Sequence, residues 1–99
     1  MFDIETLERI LAKTDGKCRF CGKKLSPSNY GRRGRHGAWA VDHSVPVASG
    51  GTDHLNNLFA SCYYCNENKA DTHGASYKTR LRRNGHHVAK RDWWSGEYR

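Results

Sequence analysis

Ala38-Trp39-Ala40-Val41-Asp42-His43 and, further along the chain, Cys62-Tyr63-Tyr64-Cys65-Asn66 are the two stretches on which the fold turns. The first reads as a short strand that ends in adjacent carboxylate and imidazole side chains, just before Pro46 and a turn at Gly50-Gly51. The second places two cysteines two residues apart and so repeats the spacing of Cys18-Arg19-Phe20-Cys21. Two such pairs have metal-ligand spacing, and four thiolates suit a closed tetrahedral zinc site. Disulfides are the alternative, but they usually accompany a secretory signal, and Asp3, Glu5 and Glu8 stand where the apolar centre of such a signal would be. A structural zinc held by Cys18, Cys21, Cys62 and Cys65 is therefore expected.

Outward from these stretches, residues 3–13 predict a helix, with Asp3 placed to cap it and Ile4, Leu7, Ile10 and Leu11 at helical spacing. Asp15-Gly16 ends it. The Cys18 to Lys24 run is a tight loop in which Gly22 can take the positive φ that turns backbone amides towards sulfur. Residues 26–37 are polar, with Pro27, Asn29, Gly31, Arg32, Arg33, Gly34, Arg35 and His36, and predict a mobile basic loop that either grips phosphate or is an ordinary solvated connection.

A second short strand is expected at 45–48, completing a hairpin with the first. Residues 54–59 carry Leu55 and Leu58 at helical spacing, and a polar helix is expected over 66–70. The stretch 77–99 is dominated by Lys78, Arg80, Arg82, Arg83, Lys90 and Arg91, with Trp93, Trp94 and Tyr98 between and after them. Leu81, Val88 and these aromatics predict a tail that docks on the domain; the tryptophans either pack there or stack on bases.

The chain has 99 residues, of which 36% are apolar, and its mean hydropathy is -0.91, so a small core needs a staple such as a metal. A net charge of +7 and a pI near 9.5 favour a polyanionic partner, nucleic acid first. No apolar run is long enough to cross a bilayer, so a soluble protein of the reducing cytoplasm is expected, with no membrane partner.

Cys18-x2-Cys21, Asp42-His43, Gly50-Gly51, Asn57-Leu58 and Cys62-x2-Cys65-Asn66-x2-Lys69 fall in this order over about half the chain. The combination resembles the HNH endonuclease family. That resemblance implies an α+β fold with a small ββα-metal (His-Me finger) core, here with a four-cysteine zinc site and flanking N- and C-terminal helices. It is expected as one domain over 1–99: an N-terminal helix in 1–17, the zinc-clamped core in 18–70 and a basic segment in 71–99. By position His43 matches the first His of the family motif, Asn57 its middle Asn, and Asn66 stands where the final His would be. This H-N-N version is similar to phage junction-resolving nucleases that carry the same four-cysteine clamp.

The Asn66 departure has a chemical consequence. A carboxylate oxygen from Asp42 and an amide oxygen from Asn66 make a hard, all-oxygen site that suits Mg²⁺ or Mn²⁺. His73 is the alternative source of the missing imidazole, but on a continuing helix it would lie about 10 Å along the axis from Asn66, far from an ion bound there. His43 is the expected general base, because imidazole titrates near neutral pH and Asp42 is occupied by the ion. Neighbours on a strand point to opposite faces, so both can serve one site only if the strand bends or ends there. Asn57 is expected to brace the His43 loop through backbone hydrogen bonds.

Arg32, Arg33, Arg35, Lys69, Lys78, Arg80, Arg82 and Arg83 are the candidate phosphate contacts. No base-reading motif accompanies them, so weak sequence preference is expected. The implied activity is Mg²⁺- or Mn²⁺-dependent hydrolysis of DNA to 5'-phosphate and 3'-hydroxyl ends, by a monomer that nicks, with a dimer as the alternative. Two competing readings are a zinc-stabilised nucleic-acid-binding module without catalysis and a zinc domain for protein contacts. The second of these would leave Asp42, His43, Asn66 and the positive charge idle.

Overall fold

The computed structural model describes residues 2–70, 72–85 and 88; Lys90, Arg91, Trp93, Trp94 and Tyr98, and with them the expected docking of the tail, lie outside that set. Among the described residues the order of elements is α1 (Ile4–Ala12), β1 (Trp39–His43), β2 (Leu58–Cys62), α2 (Tyr63–Lys69) and α3 (Gly74–Arg83). Single 3-10 turns occupy Pro27–Asn29, Val47–Ser49 and Leu55–Asn57.

In α1 the Asp3 carboxylate accepts the Thr6 amide at 2.8 Å, filling one of the donors that a helix start leaves open. The same bond holds the Asp3 carboxyl below its ordinary range. Its contribution is therefore complete above the unfolded pKa and is lost as the pH falls through the lowered folded value. The apolar stripe buries Ile10 and Leu11 in the core, where a fully buried side chain of this size stabilises by roughly 1.5–3 kcal/mol. At the end of α1, Lys13 Nζ donates to the carbonyls of Leu55 (2.5 Å) and Leu58 (2.7 Å) and lies 3.8 Å from the centre of the Phe59 ring. One lysine thus anchors the turn that enters β2.

The strands pair antiparallel from Trp39 opposite Cys62 to His43 opposite Leu58. The expected strand at 45–48 is not formed: Pro46 lacks an amide for a ladder, and Val47–Ser49 is a 3-10 turn. The true partner is β2, in a stretch whose Leu55 and Leu58 suggested a helix. Only Leu55–Asn57 is helical there, and for one turn. All five residues of β2 are buried, so the alternation that marks a half-exposed strand is missing from the sequence. Helix α2 follows β2 without a linker, at Tyr63 rather than at Asn66.

Two strands with α2 packed on them make a small α+β core of the ββα kind, covered by α1 on one side and by Tyr77 and Leu81 of α3. Phe20 and Tyr77 meet edge to face with ring centres 4.8 Å apart. The 26–37 loop folds back on itself: Asn29 Nδ2 donates to His36 O at 2.8 Å, Ser26 N to Gly37 O at 2.9 Å and Gly31 N to Trp39 O at 2.9 Å. Among the described residues no helix is long and apolar enough to cross a membrane.

The connection from β1 to β2 is closed by a backbone contact that only glycine permits. Gly51 N donates to Pro46 O at 2.9 Å, and a Cβ at Gly51 would lie 1.7 Å from Val45 O. Gly51→Ala must push the Val45-Pro46 segment away, at a cost of about 2–3 kcal/mol typical of overpacking. A thermal melt that shows no loss of stability would contradict this reading of the loop.

Candidate metal centre and active site

Cys18 and Cys21 sit on the loop after α1, while Cys62 closes β2 and Cys65 lies in the first turn of α2. Sequence-distant pairs are thereby brought together: the four sulfurs all lie within 4.8 Å of one another, and those of Cys21 and Cys62 are 3.8 Å apart. Ligands about 2.3 Å from a tetrahedral zinc lie about 3.8 Å from each other, so the donor set fits a structural metal such as zinc. Backbone amides support the sulfurs, Phe20 N donating to Cys18 Sγ at 3.4 Å and Cys65 N to Cys62 Sγ at 3.5 Å. Gly22 has the expected positive φ of 79°.

The hydroxyl of Tyr77 is buried beside Cys65 without a hydrogen-bond partner, and a metal-bound thiolate there would accept from it. Burial pushes the Cys18 thiol upward, whereas the hydrogen bond with Cys18 brings Cys21 down to about 7. Metal loading requires all four as thiolates, so it weakens as the pH falls.

Asp42 and His43 end β1, and Asn66 and Lys69 share one face of α2 at i and i+3. All four line one cavity of about 270 Å³ with Val41, Pro46, Val47, Ala48 and Ala70. The strand terminates at His43, which lets two adjacent side chains reach the same space. Asn66 Nδ2 donates to Ser61 Oγ at 3.4 Å, leaving the amide oxygen as the donor that a cation would use.

Asp42 is 4% exposed, and both of its oxygens are engaged: Oδ2 by Arg19 Nη1 at 3.1 Å and Oδ1 by Lys69 Nζ at 3.0 Å. Arg19, in the first cysteine loop, is fully buried, with its guanidinium 3.9 Å from the centre of the Phe59 ring. Nothing in the local sequence marks it out. Lys69, expected on the phosphate-contacting surface, is instead 2% exposed, and its ammonium also donates to His43 O at 3.0 Å. A carboxylate this deep holds its charge only with such partners. Lys69→Met should destabilise the fold by about 3 kcal/mol in denaturant titration, in line with the loss of one member of a buried ion pair. A variant of unchanged midpoint would show that Arg19 alone satisfies Asp42.

His43 Nε2 lies 2.7 Å from Asp53 Oδ1, a contact the sequence reading missed because the two residues are ten positions apart across an irregular loop. Asn57 is buried and joins the two arms of that loop. Its Oδ1 accepts from Val45 N at 2.9 Å, and its Nδ2 donates to Val45 O at 3.1 Å and Thr52 O at 2.9 Å.

The candidate phosphate contacts divide in two. Arg32, Arg35, Arg80, Arg82 and Arg83 are exposed. Arg33 is exposed but forms a two-pronged pair with Glu67 of α2, at 2.5 and 3.0 Å, and Lys78 is buried. The Arg33 bond keeps the Glu67 carboxyl below its ordinary range, so this tie between loop and helix is lost as the pH falls through that lowered value.

The HNH endonuclease family model matches residues 18–72, a span that runs from Cys18 past Lys69 and contains the cysteine cluster and the cavity. The chain belongs to the HNH endonuclease family. No curated protein matches it.

Proposed function

We propose that this chain is a DNA endonuclease that hydrolyses phosphodiester bonds with Mg²⁺ or Mn²⁺, nicks one strand per encounter and has weak sequence preference. The observation that carries the reading is the single cavity lined by Asp42, His43 and Asn66, in a chain of this family with a net charge of +7. Asp42 and Asn66 would hold the divalent ion, which would supply positive charge to the reacting phosphate. His43 accepts the proton of the attacking water as its oxygen bonds to phosphorus. The P–O3' bond breaks and the departing 3'-oxygen takes a proton from solvent water, leaving 5'-phosphate and 3'-hydroxyl ends. Exposed Arg32, Arg35, Arg80, Arg82 and Arg83 are the phosphate contacts of this reading, and without a base-reading element they position the duplex rather than read it.

We further propose that the chain works as a monomer in a reducing compartment, where its cysteines remain available to zinc. With one such cavity among the described residues, nicked circles should precede linear DNA when supercoiled plasmid is incubated with protein and Mn²⁺ or Mg²⁺, and EDTA should stop the reaction. Linear product without a nicked precursor would contradict the monomer. The engagement of both Asp42 oxygens by Arg19 and Lys69 favours a second reading, a zinc-stabilised nucleic-acid-binding module without catalysis. Plasmid that is bound but never cut with either ion would establish that reading.

A further inference from the structure

The contact between His43 and Asp53 does not depend on an ion, and the loop that makes it is fastened on both sides. Asn57 ties Val45, two residues after His43, to Thr52, immediately before Asp53, and the Gly51 amide bonds Pro46 O. The Asp53 carboxylate is therefore brought to the imidazole by backbone that is itself held, although the carboxylate is 74% exposed and the His43 side chain 25%. An exposed pair of this kind adds little to stability. Its effect lies in chemistry: an ionised carboxylate only accepts hydrogen bonds, so Asp53 at Nε2 requires the imidazole proton to be on Nε2. A neutral imidazole carries one N–H, and the other nitrogen is then the base.

We propose that Asp53 is a positioning residue that fixes His43 in the Nε2–H tautomer and in one ring orientation, making Nδ1 the nitrogen that takes the proton of the attacking water. The inference rests on the hydrolytic reading above and adds which atom of His43 acts and what sets it. The arrangement follows the logic of a nucleophile-activating base oriented by a third group.

The test uses the full zinc-loaded chain, labelled with ¹⁵N, without DNA or added divalent ion, at about pH 8, where an ordinary imidazole is neutral. Long-range ¹H–¹⁵N spectra, with His43 assigned by its loss in His43→Gln, should show Nδ1 as the unprotonated nitrogen. Asp53→Ala should convert this to a mixture of tautomers and lower kcat for plasmid nicking about 10- to 100-fold at unchanged KM, the range expected from a misplaced group. Asp53→Glu, which keeps an acceptor-only carboxylate, should restore the tautomer and most of the rate, whereas Asp53→Asn, whose amide can also donate to Nε2, should not. An unchanged His43 tautomer in Asp53→Ala overturns the proposal, as does a change confined to KM. An inactive wild-type chain would overturn the hydrolytic reading instead, and Asp53 would then be judged by the tautomer alone.

Discussion

Cys62→Ala should give a chain that neither binds zinc with four-sulfur stoichiometry nor holds its tertiary fold. Cys62 serves three structures at once: it is the last residue of β2, opposite Trp39; its sulfur accepts the Cys65 amide at the start of α2; and it lies 3.8 Å from the Cys21 sulfur across the cluster. The apolar core around this junction is small, and structural zinc in comparable small domains contributes apparent binding energies of about 10–16 kcal/mol. That is as large as the whole net stability of about 5–15 kcal/mol available to a typical domain, so loss of one ligand leaves little margin. The measurements are metal content and near-ultraviolet circular dichroism of the purified variant, with wild type treated with a strong chelator as the parallel. A variant with native dichroism and wild-type zinc content would mean that the cysteines are not what fastens the core.

The second large effect concerns rate rather than fold. His43→Ala should lower the initial rate of metal-dependent plasmid nicking by about 10²- to 10⁴-fold, the range a positioned general base contributes. The fold should survive, because the His43 side chain is one-quarter exposed at the end of β1 and loses only its contact with Asp53. The backbone carbonyl that accepts from Lys69 remains in place. Zinc content and the melting curve of the variant should therefore match wild type while nicking collapses. If His43→Ala nicks at the wild-type rate, another group activates the water.

These expectations draw on features that differed in how far the sequence disclosed them. The capped α1, the cysteine knuckle at Cys18 and Cys21, and a strand ending at Asp42-His43 could be read directly, because each rests on local chemistry: a side-chain cap, a φ that suits glycine, a β-favouring run closed by turn residues. Strand β2 could not. Its five residues are buried on both faces, and Leu55 and Leu58 just before and at its start mimic a helical repeat.

The charge network was hidden for a different reason. Lysine and arginine are seldom buried, so Lys69 is expected among the phosphate contacts and nothing marks out Arg19, yet the pairing of β1 with β2 and the packing of α2 bring both to the Asp42 carboxylate. Asp53 likewise gains its meaning only when Asn57 draws the two arms of the 44–57 connection together. What motif spacing disclosed was the composition of the site, and what it left out was the set of non-local partners that hold it.

The most direct test of a hydrolytic centre at the end of β1 is a crystal structure of the zinc-loaded chain soaked in Mn²⁺, with anomalous scattering recorded on both sides of the manganese and zinc edges. Zinc should appear among Cys18, Cys21, Cys62 and Cys65, and a separate manganese should be bound by oxygens of Asp42 and Asn66 beside His43. Manganese found only elsewhere, with Asp42 still paired to Arg19 and Lys69, would contradict such a centre.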